Sequence, residues 1–227
     1  MVYFFAGSEV AASSWDGCRG ELAARGIAST AVSYDASDWA RGYDTAISEL
    51  ASGVSPGAVL VGHSLAGLFL PVLGERIRAA AEVYIAALVP RPRVSFTEQI
   101  FDDGREVFTA EWSSLHGART LEAQAAAQGL LFGECPPGSA EAYQRPMENV
   151  SVLYDLPCPL AVWPHRQRFY LSCIRDRTIE PAWQRYAAKE CLGVDAIELE
   201  AGHLPHVSMP HELARRLAAL LENCTCA

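Results

Sequence analysis

The sequence predicts an α/β fold, in which a mostly parallel central sheet carries helices on both faces. Three observations support this prediction. Short apolar runs alternate with helix-like stretches through most of the chain, as in repeated strand–helix–strand units. Most of these runs are continuously apolar, which suits strands that are buried on both faces. One of them, at residues 58–61, leads directly into a Gly-rich turn and a further helical stretch.

Six strands are predicted, with helices between them. The strands cover residues 2–5, 29–33, 58–61, 82–86, 169–173 and 196–199. The last helix is the clearest, because four leucines recur at helical spacing: Leu213, Leu217, Leu220 and Leu221. We expect Ser208 to cap this helix and Pro210 to lie in its first turn.

The alternation of strands and helices fails between about residues 91 and 165, where polar residues and turns are more frequent. We interpret residues 91–160 as a cap inserted into a single core formed by residues 1–90 and 161–227. The length of 227 residues suits one domain with such an insertion.

Composition excludes several classes of partner. The net charge is −9 and no run of Lys or Arg occurs, so we expect no nucleic acid and no membrane surface as partner. The longest apolar stretches are shorter than the roughly 20 residues of a membrane span, and the apolar N-terminal run lacks the positive charges of a signal peptide. We therefore expect a cytoplasmic protein with a small-molecule substrate, and the sequence leaves a homodimer open.

The cysteines predict neither a disulfide framework nor a metal site. Their number, seven, is odd and none has the Cys-x-x-Cys spacing of a zinc ligand pair. Reduced thiols and no bound metal are expected. We interpret Cys224-Thr225-Cys226 as a frayed chain end, with soft-metal binding or oxidation as the alternative.

Ser64 is the leading candidate for a catalytic nucleophile. It lies in Gly62-His63-Ser64-Leu65-Ala66-Gly67, between a predicted strand and a predicted helix. A sharp strand-to-helix turn exposes the serine hydroxyl above the sheet and directs the N–H of the next residue toward a reacting oxygen. Ala66 stands where the Gly-x-Ser-x-Gly motif has its second glycine. The alternative is an ordinary Gly/Ser turn before a helix.

A serine nucleophile needs a histidine base and a carboxylate that orients it. Asp176 follows the strand at 169–173 and His203 follows the strand at 196–199, so both should lie at the same sheet edge as Ser64. His206 is the rival base. The alternatives for Asp176 are a surface carboxylate paired with Arg175 or Arg177, and a helix-capping residue. Three further histidines lack comparable placement: His116, His165 and His211.

The loop after the first strand should complete an oxyanion hole. We expect the backbone N–H groups of Ser8 and Leu65 to bind the oxyanion. Gly7 would keep space open beside the nucleophile, and a flexible turn without a catalytic role is the alternative.

With these residues in place, nearly the whole chain resembles the small α/β-hydrolase family that includes plant methylesterases, salicylate-binding esterases, hydroxynitrile lyases and short bacterial hydrolases. The likeness lies in residues 6–15, 61–67, 84–90, 132–137, 173–177, 181–184 and 202–203. The resemblance implies the α/β-hydrolase fold and a Ser-His-Asp triad that needs no cofactor. Many relatives have His-Gly where this chain has Ala6-Gly7, so the histidine that braces the oxyanion loop is missing.

The resemblance also implies that the cap covers Ser64 and supplies apolar pocket walls. Candidate lining residues are Phe96, Ile100, Phe101, Phe108, Trp112 and Leu115, and packing of the cap against the core is the alternative for each. We expect Gly7, His63, Phe101, Phe108 and Trp112 to contact the substrate.

Two positions separate the chemistries found in this family. Members that cleave cyanohydrins have a lysine directly after the catalytic histidine and a threonine in the oxyanion loop, whereas this chain has Leu204 and Gly7. The resemblance therefore favours hydrolysis of a small carboxylic ester or lactone through an acyl-enzyme. The alternatives are a lyase, cyclase or decarboxylase in small-molecule biosynthesis, and a ligand-binding receptor on the same fold.

Overall fold

The computed structural model describes residues 1–115, 120–145 and 151–224. His116, together with Thr225 and Cys226 of the C-terminal tail, lies outside these residues. Cys18, Cys135, Cys158, Cys173 and Cys191 are free thiols.

The described residues contain one sheet of six parallel strands in the order β2-β1-β3-β4-β5-β6. The strands are β1 (Val2–Phe5), β2 (Ser29–Val32), β3 (Val59–His63), β4 (Ala81–Ile85), β5 (Gln167–Cys173) and β6 (Ala196–Leu199). All six predicted strands are present, and β1, β3 and β4 are buried throughout, as their continuous apolar runs predict. The predicted parallel α/β fold is confirmed.

Helices connect these strands and cover both faces of the sheet. They are α1 (Asp16–Ala23), α2 (Tyr43–Ser52), α3 (Leu70–Ile77), α4 (Phe96–Asp103), α5 (Ala110–Leu115), α6 (Leu121–Phe132), α7 (Ser139–Tyr143), α8 (Ser151–Asp155), α9 (Pro181–Tyr186), α10 (Pro205–Ser208) and α11 (Pro210–Cys224). Short 3-10 helices occur at Ala12–Trp15, Ala36–Arg41 and Ser64–Leu68. None of the helices among the described residues combines the length and hydropathy that a membrane crossing requires.

Two apolar layers stabilise the sheet, one on each face. Side chains alternate between faces along a strand, so Phe4 packs with Leu22 and Leu213 in the layer under α1 and α11. Phe5 packs on the other side with Ile47, in the layer under α2 and α3. The sheet therefore lies between two layers of helices. The loops that carry the candidate residues follow the carboxyl ends of the strands.

Helices α4–α8 lie in the stretch that the sequence predicts to be a cap. A capping box begins α4, in which the Ser95 hydroxyl accepts from the Glu98 N–H and the Glu98 carboxylate accepts from the Ser95 N–H. Leu131 and Phe132 of α6 pack against Val10 and Leu204, which belong to loops at the carboxyl edge of the sheet. Helix α6 therefore contacts the edge where the candidate residues lie.

The predicted start of the last helix is wrong in one detail. Pro205 begins a separate short helix, α10, so Ser208 is its last residue and the Ser208 hydroxyl donates back to the Leu204 carbonyl at 3.1 Å. Helix α11 begins at Pro210, and the Leu213 N–H donates to the Met209 carbonyl at 3.0 Å. Ser208 therefore does not cap α11.

Candidate active site

Ser64 occupies a strained turn at the carboxyl end of β3. Its φ is +54°, in the left-handed region that side chains other than glycine rarely adopt. The Leu88 N–H donates to the Ser64 carbonyl at 3.0 Å, which ties the turn to the chain that leaves β4. A Cβ on Gly67 would overlap the Leu88 carbonyl oxygen, so this glycine is required by close approach. These contacts around Leu88 hold Ser64 in its strained backbone conformation at the end of the strand.

The three residues expected to form a triad lie side by side. The Ser64 Oγ is 3.0 Å from the His203 Nε2, and the His203 Nδ1 is 2.8 Å from the Asp176 Oδ2. His203 and Asp176 are buried. Asp176 Oδ2 can only accept when ionised, so Nδ1 carries the proton and Nε2 is left to accept from the serine hydroxyl.

Asp176 is fixed by donors from its own loop and from α9. Its Oδ1 accepts from the N–H groups of Thr178 and Ile179 at 2.7 and 3.0 Å. Its Oδ2 accepts from the Gln184 Nε2 at 2.8 Å, and the Gln184 Oε1 accepts from the Cys173 N–H at 2.9 Å. Asp176 is thus a buried, hydrogen-bonded carboxylate and not an arginine-paired surface group, and the residue that caps α9 is Glu180.

The loop that carries His203 is clamped by a glutamate from outside the core. Glu134, which follows α6, accepts from the Gly202 N–H at 2.8 Å. The same carboxylate pairs at 2.9 Å with Arg175, which is next to Asp176 in sequence. Arg175 also donates to the Glu200 carbonyl. Glu134 therefore holds the loops of Asp176 and His203 together.

His206 contacts Ser14 and Trp15, so its position does not support a role as the base. Its Nε2 lies 3.1 Å from the Ser14 Oγ, and its ring stacks on Trp15 with ring centroids 4.1 Å apart. Burial, with a smaller contribution from the charge of His203, lowers the pKa of His206 to about 3. His206 is therefore a neutral packing residue.

His63 supports the His203 loop from below. It is buried, and its Nε2 donates to the His203 carbonyl at 2.8 Å. Burial, followed by the charges of His203 and His206, holds the pKa of His63 well below its usual value. The position of His63 does not support the expected contact with substrate, because its ring is covered by His203 and His206.

Gly7 brings the loop after β1 against Ser64. A Cβ at Gly7 would lie 2.9 Å from the Ser64 Cβ and 3.3 Å from the Ser64 Oγ, so a side chain there would displace the serine. Among the described residues, the N–H groups of Ser8 and Leu65 donate to no protein acceptor. Both amides are thus available to an oxygen beside Ser64.

Tyr34 holds the loop after β1, at the place where Ala6 stands instead of the histidine that many relatives have. Its hydroxyl donates to the Ala6 carbonyl at 2.6 Å, and its ring packs edge-on against Phe69 with centroids 4.9 Å apart. Tyr34, Glu134 and Gln184 were missed in the sequence. Tyr34 follows β2 at the carboxyl edge, which is the one signal that pointed to it.

The predicted lining residues have different environments. Phe108 pairs with Ile179 in an isolated bridge near Asp176, and Trp112 packs on the cluster that contains Val10. Phe101 is 87% exposed on α4. It lies five residues after the buried Phe96, about 140° further round the helix, and therefore points to solvent. A lining role for Phe101 is not supported.

No group of three or more His, Cys, Asp or Glu side chains in residues 1–115, 120–145 and 151–224 is arranged to hold a metal ion.

Comparison with solved structures shows extensive similarity of fold. A pyrethroid hydrolase matches with a TM-score of 0.79 at 19% identity over 97% of each chain. Polyneuridine aldehyde esterase matches with a TM-score of 0.76 at 18% identity, over 97% of this chain and 98% of that one. Methylketone synthase I from tomato matches with a TM-score of 0.70 at 15% identity, over 98% and 97%. At these identities the similarity shows the fold alone.

A search of curated protein sequences finds no match. The family model described as the alpha/beta hydrolase family matches residues 5–216. Because this match spans nearly the whole core, and because the sheet and the serine turn agree with it, the chain belongs to the alpha/beta hydrolase family.

Proposed function

We propose that this chain is a serine esterase that hydrolyses a small carboxylic ester or lactone through an acyl-enzyme. One observation carries the proposal: a single buried imidazole joins the Ser64 hydroxyl at 3.0 Å to the Asp176 carboxylate at 2.8 Å. Nucleophile, base and orienting acid are therefore within hydrogen-bond reach of one another before substrate binds.

The geometry supports a two-step reaction. In the first step the Ser64 Oγ attacks the ester carbonyl while the His203 Nε2 takes its proton, and the Asp176 carboxylate stabilises the resulting imidazolium. His203 then gives this proton to the departing alcohol, which leaves an acyl group on Ser64. In the second step His203 takes a proton from a water molecule as the water attacks the acyl group. His203 then returns this proton to the Ser64 Oγ as the bond between Oγ and the acyl carbon breaks, which releases the carboxylic acid. Neither step uses a metal or an organic cofactor.

The oxyanion that forms in each step would accept from the N–H groups of Ser8 and Leu65. Backbone donors in a fixed position stabilise this charge without reorganising, and one such donor typically contributes about 10²- to 10³-fold in rate. Gly7 supports this role because its lack of a side chain lets Ser8 approach the nucleophile. Tyr34 supports it by holding the Ala6 carbonyl.

Non-hydrolytic chemistry on the same residues is the second candidate. It is kept because one similar structure is a synthase. The residue after His203 is Leu204, which is buried against Val10 and Leu131 and so offers no charged group to a departing anion. This favours ester hydrolysis over release of a small anion such as cyanide.

Replacing the nucleophile tests the proposal. Ser64→Ala removes the group that forms the acyl-enzyme, so kcat/KM for p-nitrophenyl butyrate should fall by about 10⁴-fold or more. The matched control is Ser52→Ala, which removes an exposed hydroxyl and should leave the rate unchanged.

Retained hydrolysis in the Ser64→Ala protein would contradict the proposal. Wild-type protein that retains unreacted ester without releasing product would indicate a binding protein, and formation of products other than acid and alcohol would indicate the non-hydrolytic alternative.

A further inference from the structure

The segment around the end of α6 contacts both chain neighbours of His203. On one side, the Glu134 Oε2 accepts from the Gly202 N–H at 2.8 Å. On the other side, Leu204 belongs to the same buried apolar cluster as Leu131 of α6. The backbone on either side of the imidazole is therefore held by residues of the predicted cap.

The Glu134 carboxylate is itself fixed in direction. Its two oxygens accept from the Nε and Nη2 of Arg175 at 2.9 and 3.2 Å, and a two-point ion pair of this kind sets orientation as well as distance. The chain beyond Glu134 is tied to the loop after β1, because the Ala11 N–H donates to the Tyr143 carbonyl at 2.8 Å. Glu134 therefore binds the Gly202 N–H from a fixed position.

The ion pair and the amide have different surroundings. The side chains of Arg175 and Glu134 are 50% and 39% exposed, so their pairing contributes little to stability. Gly202, in contrast, is buried. A buried N–H that loses its acceptor shifts to reach another acceptor or water, and a shift of Gly202 moves the next residue, His203. Loss of the Glu134 acceptor should therefore disturb the base more than it destabilises the fold.

We propose that Glu134 is a positioning residue for His203. Through the Gly202 N–H it keeps the His203 Nε2 within hydrogen-bond reach of the Ser64 hydroxyl. This inference rests on the proposed esterase function and adds a residue of the predicted cap to those that determine its rate. Proton transfer requires that the two atoms stay in reach, and a displacement of about 1 Å at such a site costs about 100-fold in rate. The base is therefore fully active only while the end of α6 is packed on its loop.

Two substitutions of similar size isolate this hydrogen bond. Glu134→Met and Glu134→Gln both remove the negative charge, but only glutamine keeps an oxygen that can accept from the Gly202 N–H. With p-nitrophenyl butyrate as substrate, Glu134→Met should lower kcat by about 10- to 100-fold and leave KM nearly unchanged. Glu134→Gln should recover most of this loss.

Glu200→Met is the matched control. The exposed Glu200 carboxylate is a second partner of Arg175, at 3.2 Å, and among the described residues it makes no hydrogen bond to Gly202 or His203. Its removal should leave kcat unchanged, and urea unfolding should show similar stability for all three variants.

Three results would overturn the proposal. A Glu134→Met protein that does not fold would make Glu134 a structural residue. A loss confined to KM would make it part of the substrate pocket. Equal losses of kcat in Glu134→Met and Glu134→Gln would mean that the charge matters and the hydrogen bond to Gly202 does not.

The proton between His203 and Asp176 reports the position of the imidazole independently of turnover. It lies between two buried side chains whose Nδ1 and Oδ2 are 2.8 Å apart, so its NMR signal is expected far downfield and protected from exchange with water. Glu134→Met should shift or broaden this signal, whereas Glu134→Gln and Glu200→Met should leave it in place. An unchanged signal in Glu134→Met overturns the positioning role whether or not the wild type is an esterase. A shifted signal in a protein that hydrolyses no ester contradicts only the proposed esterase function.

Discussion

Two loops at the carboxyl edge of the sheet each carry a carboxyl group, and the surroundings of the two groups differ. The loop after β5 carries Asp176, which accepts from two backbone N–H groups, from Gln184 and from His203 itself. The loop after β1 carries Glu9, whose carboxyl group has no hydrogen-bond partner among the described residues. Asp176 contacts the His203 imidazole directly, whereas Glu9 is partly exposed.

The difference separates a carboxyl group that the protein holds in one position from one that is left to solvent. Donors compensate Asp176 for the water it loses on burial, so its geometry does not depend on substrate. Glu9 is partly exposed and keeps contact with water, so its carboxyl group does not need a donor from the protein. Three predictions follow from this contrast, from the largest expected effect to the smallest.

The largest effect is expected from Asp176→Asn. An amide cannot stabilise the imidazolium, and it no longer fixes the tautomer that leaves the His203 Nε2 free to accept from Ser64. We expect kcat/KM for p-nitrophenyl butyrate to fall by about 10⁴-fold. Asp195→Asn, at a surface carboxylate paired with Lys189, is the control and should change nothing. A loss of less than about 10-fold would mean that Asp176 does not orient the base.

Stability should separate the two loops as well. Gln184→Met keeps the size of a buried side chain but removes the donor to Asp176 and the acceptor for the Cys173 N–H, so the free energy of unfolding should fall by about 2 kcal/mol. Glu9→Gln removes an unpartnered charge and should not lower it. Urea unfolding of both variants measures this contrast. Similar losses in the two proteins would show that Glu9 is as well satisfied as Asp176.

The effect that is smallest at neutral pH concerns the two buried neutral histidines, His206 and His63. The pKa of His206 is about 3 in the folded protein against 6.5 for an ordinary histidine, so between these values the unfolded chain binds a proton that the native chain does not. Stability therefore falls as pH falls through this window, by about 1.4 kcal/mol per pH unit for this residue. His63 acts in the same direction.

His206→Phe isolates this contribution. The phenyl ring can keep the stack on Trp15 but cannot take up a proton, so the decline of stability between about pH 6.5 and pH 4 should be less steep by one proton. Urea unfolding across this range provides the measurement. Equal slopes for the variant and the wild type would mean that His206 already binds a proton in the native state.

Much of the fold was predictable from sequence because its signals are local. Continuous apolar runs predicted all six strands of the described sheet, and the strand ends differ by at most two residues. The positions of Ser64, Asp176 and His203 were predictable because the carboxyl ends of parallel strands share one edge. Their catalytic roles remain predictions.

The rest depends on contacts between distant residues. Tyr34 lies 28 positions from the carbonyl it holds, and Glu134 lies 68 positions from Gly202. Ser208 was expected to cap the last helix because a serine precedes Pro210 at the predicted helix start. It is instead the last residue of the separate helix α10, where its hydroxyl donates to the Leu204 carbonyl. Phe101 was expected to line the pocket but is exposed. Its apolar side chain alone does not indicate which face of the helix is covered by other residues.

The most direct measurement of the central claim is the site of covalent modification. Wild-type protein treated with a fluorophosphonate and digested should yield one labelled peptide with the adduct on Ser64, and Asp176→Asn should label much more slowly because His203 no longer takes the serine proton efficiently. A label on another residue, or no label while ester turnover continues, would contradict the assignment of Ser64 as the nucleophile.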